Sequence, residues 1–179
     1  MATFGQTSAG SNSYPANGDR YIASKFTLSV AGDVTKVTAF FDFDASNTSF
    51  SGDNGKAVIY EDSSGAPGAL VAVSSAVSIP GGDQQIDFPV TVSLAAGDYW
   101  LGIVTDSFNS RLNIFAFSGG SHVTKESLTY ASPADPMGTP GVTGSDIFAI
   151  YATYTPAGGS FPPAPAPPFP KMMAPHLAQ

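Results

Sequence analysis

The chain contains no cysteine, which excludes disulfides, thiolate nucleophiles and cysteine-ligated zinc. Charged residues make up only 12% of the 179 residues, about half the usual share. The seven Lys and Arg residues are scattered singly and form no basic stripe, so we expect no nucleic-acid partner. A net charge of −7 favours solubility but names no partner.

Long apolar segments are also missing. No run approaches the roughly 20 residues of a membrane span, and residues 1–6 lack the basic and apolar regions of a signal peptide. We therefore expect a protein without a membrane partner, made in the cytoplasm and not exported by the general secretory route.

Turn-forming and β-forming residues are abundant instead. The chain has 19 Gly and 15 Pro, aromatic residues reach 12%, and no segment has a convincing helical period. Many Phe, Tyr, Val and Thr residues between Gly- and Pro-rich turns are typical of an all-β chain.

The rest of the chain is predicted to pack around residues 94–104, which hold the single tryptophan. A Gly-Asp turn precedes the apolar run, so the chain reverses there and enters a strand. Trp100 and Val104 fall on one face of this strand, and Leu101 and Ile103 on the other. A strand that is apolar on both faces is usually central or covered on each side.

Alternating or continuous apolar runs predict the remaining strands. Apolar residues alternate with polar ones over 37–43 and 86–92, and Pro89 indicates an edge or bulged position. Eight or nine strands at regular spacing predict a two-sheet antiparallel β-sandwich that is jelly-roll-like. Its expected core includes Trp100, Leu101, Ile103, Phe41, Ile59 and Ile150.

The boundaries of several elements follow from turn signals. Residues 70–79 read as one weak strand, and Gly119-Gly120 is expected to end a strand over 112–117. A short edge strand is predicted at 128–130, a long loop over 133–144, and a last, central strand over 147–154.

Composition divides the chain into three parts: an N-terminal arm or edge strand at 1–19, a sandwich domain at 20–155, and a C-terminal arm at 156–179. Eight of the 15 prolines lie at or after Pro156. The Pro-rich segment favours an extended polyproline II conformation. We expect this arm to dock only within an assembly. Its candidate partner-binding residues are Phe161, Pro163, Pro168, Phe169, Met172, Met173 and Leu177.

Catalytic signatures are weak, and we expect neither enzyme activity nor a cofactor. A Ser/His/Asp arrangement around His122 remains open, because loops can bring distant residues together. However, no Gly-x-Ser-x-Gly elbow accompanies it. Asp42, Asp44, Asn47 and Asp53 form a weak calcium candidate, since oxygen ligands surround one loop. Solvent-facing carboxylates on an alternating strand explain the same residues.

Aromatic side chains on loops could stack on sugar rings. The plausible exposed ones are Tyr14, Tyr21, Phe50, Phe108 and Tyr130. Packing over the ends of a sandwich is the competing interpretation of all five.

The segments 57–62, 65–70 and 94–102, with 32–37 upstream, carry a family resemblance. Together they resemble a jelly-roll-like β-sandwich module found in phage virion proteins (decoration or tail proteins) and in bacterial surface proteins. The resemblance covers about residues 20–155. It implies the fold, and it supplies no catalytic residue that maps onto this chain. We expect no leader, and this expectation together with the added Pro-rich arm favours a virion component over an exported adhesin.

Two functions are therefore expected. The first is a non-enzymatic structural protein, most simply a phage virion component (capsid decoration, cement or tail-associated). Its arms would bind neighbouring capsid or tail subunits, with homo-oligomers in the assembly. The alternative is a carbohydrate-binding or receptor-binding β-sandwich module that acts in host adsorption.

Overall fold

The computed structural model describes residues 1–16, 20–43, 53–80, 82–106, 112–125 and 129–158. Within these residues the chain forms twelve strands and no helix, and hence no helix that could cross a bilayer. The strands are β1 (Ala2–Gly5), β2 (Asn12–Pro15), β3 (Tyr21–Leu28), β4 (Gly32–Phe43), β5 (Asp53–Ser63), β6 (Ala66–Val73), β7 (Val77–Ile79), β8 (Gln84–Leu94), β9 (Gly97–Thr105), β10 (Leu112–Lys125), β11 (Val142–Phe148) and β12 (Ile150–Pro156).

The predicted all-β antiparallel fold is confirmed, and its strands lie in two facing layers. Every pairing is antiparallel. One layer contains β8, β4, β12 and β1, and the other contains β3, β9, β5, β6 and β7. The layers pack face to face, with β1 over β3, β12 over β9 and β8 over β5. We call the first group the front layer and the second the back layer.

Strand β10 joins the two layers into one continuous sheet. Its first residues pair with β4, where Ile114 lies opposite Phe41, and its last residues pair with β3, where His122 lies opposite Ser24. The prediction that Gly119-Gly120 ends this strand is wrong. The register shifts at this point, and Gly119 adopts a φ of 91°, which a glycine accepts without strain.

Three other boundaries differ from the sequence prediction. Residues 70–79 contain parts of two strands, β6 and β7, which pair with different parts of β5. The last predicted strand divides at Ala149, whose N–H donates to Phe115 and whose carbonyl accepts from Phe40. Tyr130 lies in a turn, so no strand forms at 129–130.

The inner core lies between the layers and contains apolar residues from both. The alternation predicted for 86–92 is confirmed, since Ile86, Phe88 and Val90 are buried while the residues between them are exposed. Pro89 lies on β8, which pairs only with β4 among the described strands. The β4–β8 register shifts next to Pro89, so the missing N–H falls at a bulged edge, as predicted.

Candidate functional site

A second apolar cluster covers the outer face of the back layer, the face that points away from the inner core. Its largest members are Tyr21, Tyr60 and Trp100, on three adjacent strands. The rings of Tyr21 and Tyr60 meet edge to face with centroids 5.5 Å apart. Gly102 makes room for them, because a Cβ there would lie 2.4 Å from the Tyr21 ring. We call this set the outer cluster.

Trp100 is fixed at one edge of the outer cluster by Asp62. The indole N–H donates to Asp62 Oδ1 at 2.8 Å, and the Gly65 N–H donates to Asp62 Oδ2 at 3.0 Å. Lys25 lies 3.8 Å from the same carboxylate. One carboxylate therefore ties the tryptophan to the β5–β6 turn and satisfies a polar group that burial would otherwise leave unpaired.

Residues 129–141, which we call the strap, cover the outer cluster. At one end, the Lys56 ammonium donates to the Tyr130 carbonyl at 3.0 Å and lies 4.4 Å from the centre of the Tyr130 ring. In the middle, Tyr60 OH donates to the Ala134 carbonyl at 2.7 Å. Asp135 accepts a hydrogen bond from a backbone N–H of β6, at Leu70.

The far half of the strap is held by its backbone. The Met137 N–H donates to the Gly68 carbonyl at 3.3 Å, and Lys125 donates to the Met137 carbonyl. The Gly141 N–H donates to the Thr124 carbonyl at 2.9 Å. The Met137 side chain is fully buried in the outer cluster. The strap is thus a packed element of the fold, although it has no regular secondary structure.

Burial under the strap perturbs two tyrosines. Burial raises the pKa of Tyr60 to about 12, with a further contribution from the negative charge of Asp135. Burial, and then the neighbouring Tyr60, raise the pKa of Tyr21 well above its usual value. The Tyr21 hydroxyl is fully buried and has no hydrogen-bond partner among the described residues. These two hydroxyls therefore stay neutral across the physiological pH range.

A groove opens where the strap meets the β5–β6 hairpin. Its volume is about 430 Å³, and none of its eight lining residues is charged. Two hydroxyl residues, Ser63 and Thr139, line it together with small or apolar ones. The latter are Ala66, Pro67, Gly68, Pro136, Gly138 and Pro140. We call this the hairpin groove.

His122 lies in a separate cluster with the N-terminal residues. It is 3% exposed, and its ring packs on those of Tyr14 and Phe148 with centroids 5.3 and 5.0 Å apart. Tyr14 OH donates to Asp146 Oδ2 at 2.5 Å, and this bond, more than burial or charge, raises the pKa of Tyr14. The predicted loop histidine is therefore a buried residue that helps hold β2.

Ser24, His122 and Asp146 come together here, but they are not arranged as a catalytic triad. A triad histidine donates from Nδ1 to a carboxylate, whereas here Nδ1 faces the Asp146 backbone, 3.2 Å from its nitrogen and 3.3 Å from its carbonyl oxygen. The Asp146 carboxylate accepts from Tyr14 instead. Ser24 Oγ is fully buried and accepts from the Phe148 N–H at 2.9 Å. The arrangement is structural.

The outer face of the front layer carries a half-exposed aromatic pair. Phe40 and Tyr151 have ring centroids 6.2 Å apart, and Gln85 donates to Tyr151 OH at 2.5 Å. Beside them, Lys36 donates to Asp87 at 2.6 Å. Burial opposes charge on Asp87, but the hydrogen bonds from Lys36 and Thr38 outweigh it and hold the pKa of that carboxyl below its usual value.

The sequence-predicted site residues fall into two groups. All the arm residues named above, from Phe161 to Leu177, lie outside the described residues, as do Asp44, Asn47, Phe50 and Phe108. Asp42 lies near the end of β4 and Asp53 begins β5. Within the described part of the chain, no three His, Asp or Glu side chains are placed to hold a metal ion.

Tyr21, named as plausibly exposed, is fully buried in the outer cluster, in line with the competing packing interpretation. Tyr14 and Tyr130 are half-buried against His122 and Lys56. The six predicted core residues are all buried: Phe41, Ile59, Trp100, Leu101, Ile103 and Ile150. Sequence reasoning missed the hairpin groove, for which the only local signal was the two Pro- and Gly-rich stretches that line it.

No protein-family model matches the chain, and no curated protein shows significant similarity to it.

Proposed function

We propose that this protein is a non-enzymatic structural component of a larger assembly, a phage virion protein that decorates a capsid or belongs to a tail. Its C-terminal arm binds neighbouring subunits. The observation that carries the proposal is the abrupt change of composition at the end of the sandwich, since eight of the 15 prolines lie at or after Pro156. Within the described residues, both apolar clusters are built from residues of the sandwich and its N-terminal strands.

The N-terminal residues play a different part. Strand β1 pairs with β12, and Phe4 packs edge to face on Tyr99 and Tyr154. Strand β2 pairs with β10, where Tyr14 closes the cluster around His122. Because residues 1–16 bind their own domain at two places, we assign neighbour binding to the C-terminal arm alone.

Chemistry within the described residues supports a binding role over catalysis. The Ser24 and His122 side chains are buried, Asp146 is half-buried, and all three take part in structural hydrogen bonds. The hairpin groove has no charged lining residue that could act as a general acid or base. An extended Pro-rich arm suits assembly, because it buries area on several subunits and gains from multivalency.

The test is a pull-down from lysate of the cells that produce the protein. Full-length chain and a version ending at Gly158 serve as paired baits, and bound proteins are identified by mass spectrometry. We expect only the full-length chain to retain an abundant capsid or tail protein. If both baits retained the same protein, the sandwich and not the arm would be the binding element. If neither bait retained a capsid or tail protein, the proposal would be overturned.

The aromatic pair on the front layer favours one alternative function, carbohydrate binding in host adsorption. Aromatic rings flanked by amide and carboxylate groups suit the apolar faces and hydroxyls of sugars. Phe40 and Tyr151 supply the rings, Gln85 the amide and Asp87 the carboxylate. This function would survive removal of residues 159–179 and would be lost in Tyr151→Ala. Affinity electrophoresis in gels containing host cell-surface polysaccharide, with both variants, separates it from the arm-dependent function.

A further inference from the structure

We propose that the hairpin groove receives the Phe161-Pro162-Pro163 segment of a second copy of this chain. The inference rests on the proposed function, in which the C-terminal arm binds neighbours, and it names where on a neighbour the arm binds. The groove itself consists wholly of described residues.

Both walls of the groove are held in place. On the hairpin side, Asp62 accepts from the Gly65 N–H and from Trp100, which fixes the turn. On the strap side, the Met137 N–H bonds to the Gly68 carbonyl, and Asp135 accepts from the Leu70 N–H. A groove fixed from both sides is formed before its ligand arrives, which lowers the entropic cost of binding.

The lining of the groove matches the chemistry of the arm. Residues 159–170 contain no charged side chain, and neither does the groove. The arm presents two Phe-Pro dipeptides, at Phe161-Pro162 and Phe169-Pro170. Small and ring-shaped lining residues leave room for one aromatic side chain and a flanking proline in about 430 Å³. An aromatic anchor in a pre-formed apolar pocket is the usual centre of a protein interface.

The strand register shows where the arm begins. Pro156 lies opposite Gly32, and Gly32 lies opposite Leu94, just before β9. Early in β9, Tyr99 lies opposite Glu61, next to the β5–β6 turn. The arm therefore leaves the front layer at the end of the sandwich where the hairpin groove lies, and copies can approach each other through this end.

The distance that Phe161 can reach from Gly158 distinguishes binding to the chain's own groove from binding to the groove of a second copy. Phe161 is three residues beyond Gly158, and a polyproline II chain advances about 3.1 Å per residue, so its reach is about 10 Å. Strand β12 belongs to the front layer, whereas the groove lies on the outer side of the back layer. Facing layers alone are about 10 Å apart. A reach of about 10 Å does not carry Phe161 past the back layer to its own groove. We therefore assign the groove to Phe161 of another copy.

The test compares self-association of full-length variants by sedimentation velocity over a range of concentrations. Ala66→Trp fills the groove, and Phe161→Ala removes the anchor without touching the sandwich. Val142→Trp places the same bulk on an exposed residue, 56% accessible, as the matched control. We expect the first two changes each to weaken association at least tenfold and the control to leave it within twofold.

A second measurement uses a fluorescently labelled peptide of residues 159–170, titrated into the chain ending at Gly158, which retains all twelve described strands. We expect saturable binding that Ala66→Trp abolishes. The proposal would be overturned if the peptide did not bind. It would also be overturned if the peptide bound but the full-length chain stayed monomeric, because that result indicates docking within one chain. If the pull-down still retains a capsid or tail protein, the proposed function stands while this inference falls.

Discussion

At the scale of single residues, Asp62 is the contact that positions the tryptophan. We expect Asp62→Ala to lower the free energy of unfolding by about 1–3 kcal/mol, since it leaves the buried indole N–H of Trp100 without an acceptor. Asp62→Asn keeps an oxygen there and recovers most of the loss. Urea unfolding measures both.

Asp98→Ala is the matched control for Asp62. Its carboxylate also accepts a hydrogen bond, from Thr27 at 2.6 Å, but on an exposed surface. Removing it is expected to cost less than about 0.5 kcal/mol. If Asp62→Ala and Asp98→Ala lowered the free energy of unfolding equally, the hydrogen bond to the Trp100 indole would contribute no more than an exposed one.

For Tyr21 and Tyr60, the two tyrosines that meet edge to face in the outer cluster, we expect opposite effects of removing the hydroxyl. Tyr60→Phe loses the hydrogen bond to the Ala134 carbonyl and is expected to cost about 1 kcal/mol of stability. Tyr21→Phe removes a buried hydroxyl for which the described part of the chain offers no partner, so stability is expected to be unchanged or about 1 kcal/mol higher. Chemical denaturation of the two single variants measures both changes in the free energy of unfolding. Loss of stability in Tyr21→Phe as large as in Tyr60→Phe would contradict this account.

The same tyrosines predict a decline of stability in alkali. In the folded chain Tyr60 has a pKa raised to about 12, against a usual value of 10.0. Above pH 10 the folded state therefore binds more protons than the unfolded state, and the unfolding free energy falls as pH rises from about 10 to 12. Below pH 10 this contribution is constant. Measured between pH 8 and 12, the unfolding free energy should fall less steeply with pH in Tyr60→Phe than in the original chain. Equal slopes would be evidence against the raised pKa of Tyr60.

Residue-level prediction from the sequence succeeded for burial and failed for pairing. The six core residues could be found because apolar residues recur at strand spacing. The bond between Trp100 and Asp62 joins residues 38 apart, and Asp62 alone is typical of a turn. Tyr21 could be interpreted as exposed or as packed, because nothing local indicates that distant residues surround it in the outer cluster.

At the scale of elements, the strap is the feature that most needs testing. We expect Met137→Ala to lower the unfolding free energy by about 2–5 kcal/mol, because it empties a fully buried site beneath the strap. Val142→Ala, just beyond the strap and 56% exposed, is expected to change it by less than about 0.5 kcal/mol. Thermal and urea unfolding provide the comparison. A near-neutral Met137→Ala would mean that the strap lies loosely on the sheet.

Strand prediction from the sequence depended on which signal each strand carried. Alternation located β8 and its edge position, and apolar residues on both faces of β9 correctly indicated cover on each side. The cover of its outer face is the irregular strap, whose backbone bonds to Gly68 and Thr124 have no sequence signature. The prediction ended strand β10 too early, because Gly119-Gly120 resembles a turn in the sequence. The irregularity at these glycines is visible only in the pairing of β10 with β11.

At the scale of the whole molecule, the described residues build two apolar clusters, one between the layers and one on the outer face of the back layer. The outer cluster is covered by the strap, and the inner core lies between the layers. Groups that could take part in binding lie at the hairpin groove and on the front layer, at Phe40 and Tyr151. This arrangement favours a protein whose role is to attach to others.

The most direct test of that role is density-gradient sedimentation of lysate from the producing cells. Full-length chain and the version ending at Gly158 are expressed at matched levels and followed by antibody. We predict that the full-length chain sediments with large particles, while the shortened chain stays at the top of the gradient with free proteins. If both versions remain at the top, at the position expected for an 18.3 kDa protein, the chain is not a particle component and the central claim fails.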